Sequence, residues 1–176
     1  MREDLQKHSR YVYGLKKEDL DYTLRLTKDM INASREVLDQ KARKIKQENT
    51  EMVEDIMDDY TYYNYIDIQY MWHFCLWRLQ AIFEGMIVTK FLSHKDKKLF
   101  GLSSELKAMK EEGYTLDSKH YQQIMEWAKL RNTLSHQPPE QYRPIFMKEE
   151  NIKEYVDLLK SVIEIWEKEE EQIKQA

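Results

Sequence analysis

The ten residues Leu130–Pro139, LRNTLSHQPP, set a guanidinium and an imidazole five positions apart, just ahead of two prolines. Arg131 offers a planar fork of donors that matches a phosphate, or the extra negative charge that builds on one during cleavage. His136 belongs to the side-chain type whose ordinary titration range suits proton transfer near neutral pH. The chemistry these groups could perform together is chemistry on a phosphate. The same residues would also make an ordinary helix C-terminus, because Gln137 precedes Pro138 and is pushed towards an extended conformation.

Spacing decides where such groups point. Positions 121, 124, 128, 131 and 135 follow one another by three, four, three and four residues, so Arg131 continues the core-facing stripe of its helix. A charge in that direction is costly unless it is paired or used. Glu84 recurs with Trp77, Ala81, Val88 and Phe91 or Leu92 at helical spacing. It is therefore expected to face inward, either as a rim residue that reaches water or as an ion-pair partner that supports Arg131.

The elements that must hold this site are helices. Glycine and proline are absent between Gly14 and Gly85, while Leu20, Leu24, Thr27, Ile31, Leu38, Ala42, Ile45, Met52 and Ile56 recur near the 3.6-residue period. One helix of that length would reach on the order of 100 Å, too long for a compact domain. A break is expected within Gln47–Met52, where Asn49 or Thr50 can cap a new helix, with Asp58–Tyr65 as a second possible break. The next helix should run to about Ser93. A short helix over SSELKAMKEE then ends at Gly113, and Asp117 or Ser118 caps the helix that carries Arg131. A last helix is marked by Ile152, Val156, Leu159, Ile163, Trp166 and Ile173. The fold expected is all-α: one domain over residues 1–176, an up-and-down bundle of four main helices plus a short one, with 1–16 a loosely ordered arm.

Bulk properties narrow the function. The net charge is −4, from 28 basic and 32 acidic residues, which disfavours nonspecific, high-affinity nucleic-acid binding. Any such contact would use a local patch, for example Lys41–Gln47 or Lys95, Lys97 and Lys98. The single Cys75 rules out an internal disulfide or a cysteine-rich zinc site, and it reads as a buried thiol. The N-terminal MREDLQKHSR is too polar for a signal peptide, and the most apolar span carries His73, Arg78, Gln80 and Glu84, too many polar groups for a membrane helix. A cytoplasmic location is expected. A di-iron site would need Glu-x-x-His on two helices; Asp117-x-x-His120 is the nearest approach and stands alone. No cofactor or metal is expected, since the acidic group Glu54, Asp55, Asp58 and Asp59 reads as a solvated helix face. His73 reads as a core histidine, and His94 and His120 as surface residues near helix ends. The tyrosine-rich stretch Tyr60–Tyr70 could stack bases, but reads better as an interface between copies.

Arg131, Asn132 and His136, with the helix-end setting, resemble the Arg-Asn-x3-His form of the Arg-x4–6-His motif of the HEPN superfamily. The layout from about residue 20 to 170 resembles that family as well. The spacing alone is weak, since Arg2 and His8 satisfy it too. The resemblance implies a homodimer whose two Arg–His pairs meet across the interface as a metal-independent RNA endonuclease. His136 would act as base or acid, Arg131 would neutralise the phosphorane, Asn132 would orient phosphate or imidazole, and the product would end in a 2′,3′-cyclic phosphate. It further implies a role in toxin–antitoxin or phage defence, with an antitoxin or nucleotidyltransferase-type partner. Some toxic members carry a tyrosine two residues after the histidine as the target of such a partner. Here that position is Pro138, so this form of control is not expected. The alternative reading is a non-catalytic helical module that binds a nucleotide or another protein, with Arg131 structural and His136 a helix cap.

Overall fold

The computed structural model describes residues 15–48, 52–94, 101–136 and 146–173. Its elements are α1 (Glu18–Glu48), α2 (Val53–Met86), α3 (Leu102–Glu111), α4 (Ser118–His136) and α5 (Glu149–Ile173). A π-helical turn, Ile87–Phe91, closes α2, and no strand occurs among the described residues. This is the expected all-α bundle. Cross-links between elements fix its up-and-down course. Asn64 on α2 donates to the Ser34 hydroxyl of α1, whereas Gly85 at the other end of α2 lies against Leu15, just ahead of α1. Thr115 donates its N–H to Glu169, and Trp127 stacks on Tyr155, so α4 and α5 run in opposite directions.

The chain turns between α1 and α2 where a break was expected. Asn49 and Thr50 lie outside the described residues, and Met52, which precedes α2, supplies no side-chain cap. The second possible break is not used: α2 runs through Asp58–Tyr65 for 34 residues, about 51 Å at 1.5 Å per residue. No described residue within 32–47 or 52–71 is buried. The far halves of α1 and α2 therefore lie outside the core, which gathers around the nearer halves, and Tyr65 and Gln69 of α2 meet Phe146 and Met147 ahead of α5. There Leu20 and Ile31 of α1 meet Leu76, Leu79, Ile82 and Phe83 of α2 and Val156, Leu159 and Ile163 of α5. Trp166 is fully buried, stacks on Phe83 at 5.6 Å and donates its indole N–H to the Thr115 carbonyl at 2.8 Å.

The π turn matters for phase. Leu92 N–H bonds the Ile87 carbonyl at 2.9 Å, which inserts one residue and rotates Phe91 and Leu92 onto the core side. Both are buried. Trp77 and Ala81, before the turn, and Val88, within it, are exposed. The expectation that these three face inward is thereby corrected, whereas Glu84 is half-buried and meets Arg131. Residue 1–14 positions of the expected arm lie outside the described residues, but Leu15 packs against the core and Lys17 bonds Glu167 at 2.9 Å, so ordered structure starts before residue 17. Ile173, expected on the apolar stripe of α5, is exposed because α5 continues beyond its last core contact at Trp166.

Gly113 ends α3 as expected. Its N–H bonds the Lys110 carbonyl, the Tyr114 N–H bonds the Met109 carbonyl, and its φ is 91°. This double closure needs a left-handed residue. Gly113→Ala is expected to destabilise the protein by about 1 kcal/mol, read as a lower urea midpoint with an unchanged slope.

Candidate functional site

The site is built on the last two turns of α4. Asp117 starts that helix by accepting the His120 backbone N–H at 2.8 Å, and this bond, first among the causes, holds its carboxyl below the usual range. Ile124 and Ala128 are buried, and they press α4 onto the bundle so that Arg131, one turn on, points along the same seam. Its guanidinium meets the Glu84 carboxylate at 3.0 Å, with both side chains about a quarter exposed. The Gln80 amide donates to the same Glu84 oxygen at 2.6 Å. One α2 carboxylate is thus fixed by its own helix and by α4 at once. The pairing follows although Glu84 lies at the edge of α2's outward face, because α4 covers that edge.

Asn132 and His136 are exposed, and among the described residues their side chains have no hydrogen-bond or ion-pair partner. Ser135 donates its hydroxyl back to the Arg131 carbonyl at 2.8 Å, satisfying one of the helix-end acceptors. Five residues separate Arg131 from His136, about 140° around the helix. The structure brings Arg131 to Glu84 and leaves His136 apart, on the terminal turn of the same helix. Pro138, Pro139 and Gln137 lie outside the described residues.

Three further residues surround the Arg131–Glu84 pair and were not singled out from the sequence. Glu105 of α3 is 5% exposed, and burial first, then the Glu84 charge, pushes its carboxyl up to about 7. Tyr155 of α5 is fully buried, and its hydroxyl is raised by burial and by Glu84, with Arg131 opposing. Gln80 is the third, 1% exposed. Gln80 Oε1, Glu105 Oε2 and the Tyr155 hydroxyl have no hydrogen-bond partner among the described residues. The spacing Leu102, Glu105, Leu106, Met109 places Glu105 inside an apolar stripe, which is the signal that could have marked it.

The other candidates separate. Tyr60 lies under the Lys41 ammonium at 5.2 Å, Tyr65 meets Phe146 at 5.7 Å, and Tyr62 meets Tyr63 edge-on at 5.7 Å, so the tyrosine stretch is distributed around α2. His73 is half-buried, edge-on to Tyr70 at 6.3 Å. His94 pairs with Glu112 at 3.0 Å and His120 with Asp117 at 2.7 Å. Glu54, Asp55, Asp58 and Asp59 are all exposed, and among the described residues no three His, Cys, Asp or Glu side chains converge as a metal site. Cys75 is buried, and burial, with Thr27 opposing, pushes its thiol up to about 11. Lys41–Gln47 lies on the far half of α1, whereas Lys95, Lys97 and Lys98 lie outside the described residues. No helix among the described residues is long and apolar enough to cross a membrane. Compared with known proteins, the chain matches no family model, no curated protein and no solved structure.

Proposed function

We propose that this chain is a metal-independent RNA endonuclease of the HEPN type, with Arg131 and His136 as its reactive groups and Asn132 beside them. The observation that carries the reading is the clamped but accessible guanidinium. Glu84 and Gln80 fix Arg131 at the rim of the bundle, a quarter exposed, on the helix whose last residue is an exposed histidine. A pre-set cation on a rigid element is what a transition state with growing phosphate charge rewards. Cleavage by the 2′-hydroxyl also needs a base and an acid. This end of α4 supplies one imidazole per chain, so two copies acting together would furnish both roles. Arg131 would bind the non-bridging oxygens, one His136 would take the 2′-hydroxyl proton, and the other would protonate the departing 5′-oxygen. The acidic net charge disfavours promiscuous RNA binding and so supports a selective enzyme, and restraint by a partner such as an antitoxin is what the family resemblance implies.

The second reading is a non-catalytic module that binds a nucleotide or a protein. It is favoured by the angle between Arg131 and His136, which sends their side chains to different sides of α4. Incubation of the purified protein with single-stranded RNA in excess EDTA separates the two. The nuclease reading expects cleavage with 2′,3′-cyclic phosphate ends. Intact RNA after prolonged incubation at micromolar protein overturns it and leaves the binding module.

A further inference from the structure

The helix α2 is apolar on two opposite sides. Its inner side, from Trp72 through Leu79 to Met86, is the core. Its outer side carries a second row, Tyr70, Phe74, Trp77, Ala81 and Val88, spaced by four, three, four and seven residues and exposed throughout. Phe74 is 63% exposed and Trp77 42%, the two rings edge-on at 6.1 Å. A helix that is apolar all round belongs in the interior of an assembly. Glu84 shares the phase of this row, and its carboxylate is already engaged by Arg131. Arg78 is exposed at the border of the row and, with Asp19, lines the adjoining groove.

The apolar surface extends onto α1. Tyr22, Leu26 and Met30 line a groove of about 470 Å³ opposite Phe74 and Met71, and each is close to half exposed. On the other flank of the row lies α4, through Arg131. At roughly 80–100 Å² for a half-exposed large side chain, the α2 row and its α1 flank present about 600 Å² per copy. That stands at the top of the range of about 300–600 Å² for the largest apolar patch of a typical monomer, a patch that is often functional, and two such faces approach the 1,200–2,000 Å² of a specific interface.

We infer that the outer row of α2 is the surface on which a second copy of this chain docks, about a two-fold axis at Ala81. Antiparallel pairing about Ala81 sets Arg78, three residues before it, opposite Glu84, three residues after it in the other copy, so the face complements itself as an isologous contact requires, and Ala81 is the smallest side chain in the row, where two helices approach most closely. Antiparallel pairing there sets Trp77 of each copy over the Glu84–Arg131 pair of the other and lays the two α4 helices beside the shared face. In what the pairing is for, the inference rests on the nuclease reading: it is how two Arg131 and two His136 would come to one cleft. The tyrosine stretch contributes Tyr70, at one edge, in place of the interface expected over all of Tyr60–Tyr70.

The test combines oligomeric state with a cross-link. Sedimentation of the full chain should show a dimer, and Phe74→Glu with Trp77→Glu should weaken it at least about 30-fold, the loss of a central aromatic anchor, with helicity retained. Ala81→Cys under mild oxidation should give a covalent dimer, because residues on the axis come within disulfide reach, while buried Cys75 stays unreacted in the wild type. A wild-type monomer at 100 μM overturns the inference, as does a dimer indifferent to Phe74→Glu and Trp77→Glu. A dimer that dissociates but does not cross-link through Ala81→Cys overturns the axis. A dimer with both properties and no RNA cleavage upholds the surface and sinks the nuclease reading alone.

Discussion

Replacing His136 with alanine is expected to slow RNA cleavage about 10³-fold while leaving stability within about 0.5 kcal/mol of the parent. The rate effect follows from the role assigned to it. A positioned acid or base contributes 10²–10⁴-fold, and in a paired site the substitution removes both imidazoles, so proton uptake and delivery fail together. The small stability effect follows from its place: His136 is the last residue of α4, exposed, with no side-chain partner among the described residues, and such surface positions rarely matter to folding. Arg131→Ala should behave differently. It also slows cleavage, but it strips Glu84 of its cation beside the buried Glu105, so the loss of activity comes with a loss of stability. Single-turnover cleavage in EDTA and urea unfolding of both variants supply the measurement. A His136→Ala protein that cleaves within threefold of the parent removes the histidine from the mechanism.

Much of this site was legible because its determinants are local. The inward phase of Arg131 needs only the three–four spacing along α4, and the cap at Asp117 and the stop at Gly113 are read from residue type. The helix count and the turn near residue 50 follow from period and length. Glu84 shows where local reading fails. Its pairing with Arg131 is one of two readings the spacing allows, and both rest on an inward-facing stripe of Trp77, Ala81 and Val88, which in fact look outward. The apolar period of α2 carries no label saying which side is core, because both sides are apolar. The π turn then moves Phe91 and Leu92 off that outer row and onto the core, a register change with no signature in the residues themselves. Glu105 and Tyr155 are a different case. Each sits in a visible apolar stripe, yet only the packing of α3 and α5 around α2 brings them under the influence of Glu84.

Glu105 should make the protein less stable as the pH rises from about 4.5 to about 7, and Glu105→Gln should abolish that part of the pH dependence. In the folded chain its carboxyl is raised from 4.5 to about 7, by burial and then by Glu84. The folded state thus keeps a proton that the unfolded chain has released. Below about pH 4.5 both states hold it and its contribution is fully present. Between pH 4.5 and 7 stability falls by roughly 1.4 kcal/mol per pH unit, and above 7 the loss levels off at about 3 kcal/mol. Glutamine has the same shape and stays neutral throughout. The variant should match the parent near pH 4.5 and exceed it by roughly 2–3 kcal/mol at pH 8.5, and taking the difference between the two proteins cancels the titration of every other group. Urea unfolding of both proteins across pH 4.5–8.5 measures the effect, and a difference that stays constant with pH would show that Glu105 does not hold its proton in the folded chain.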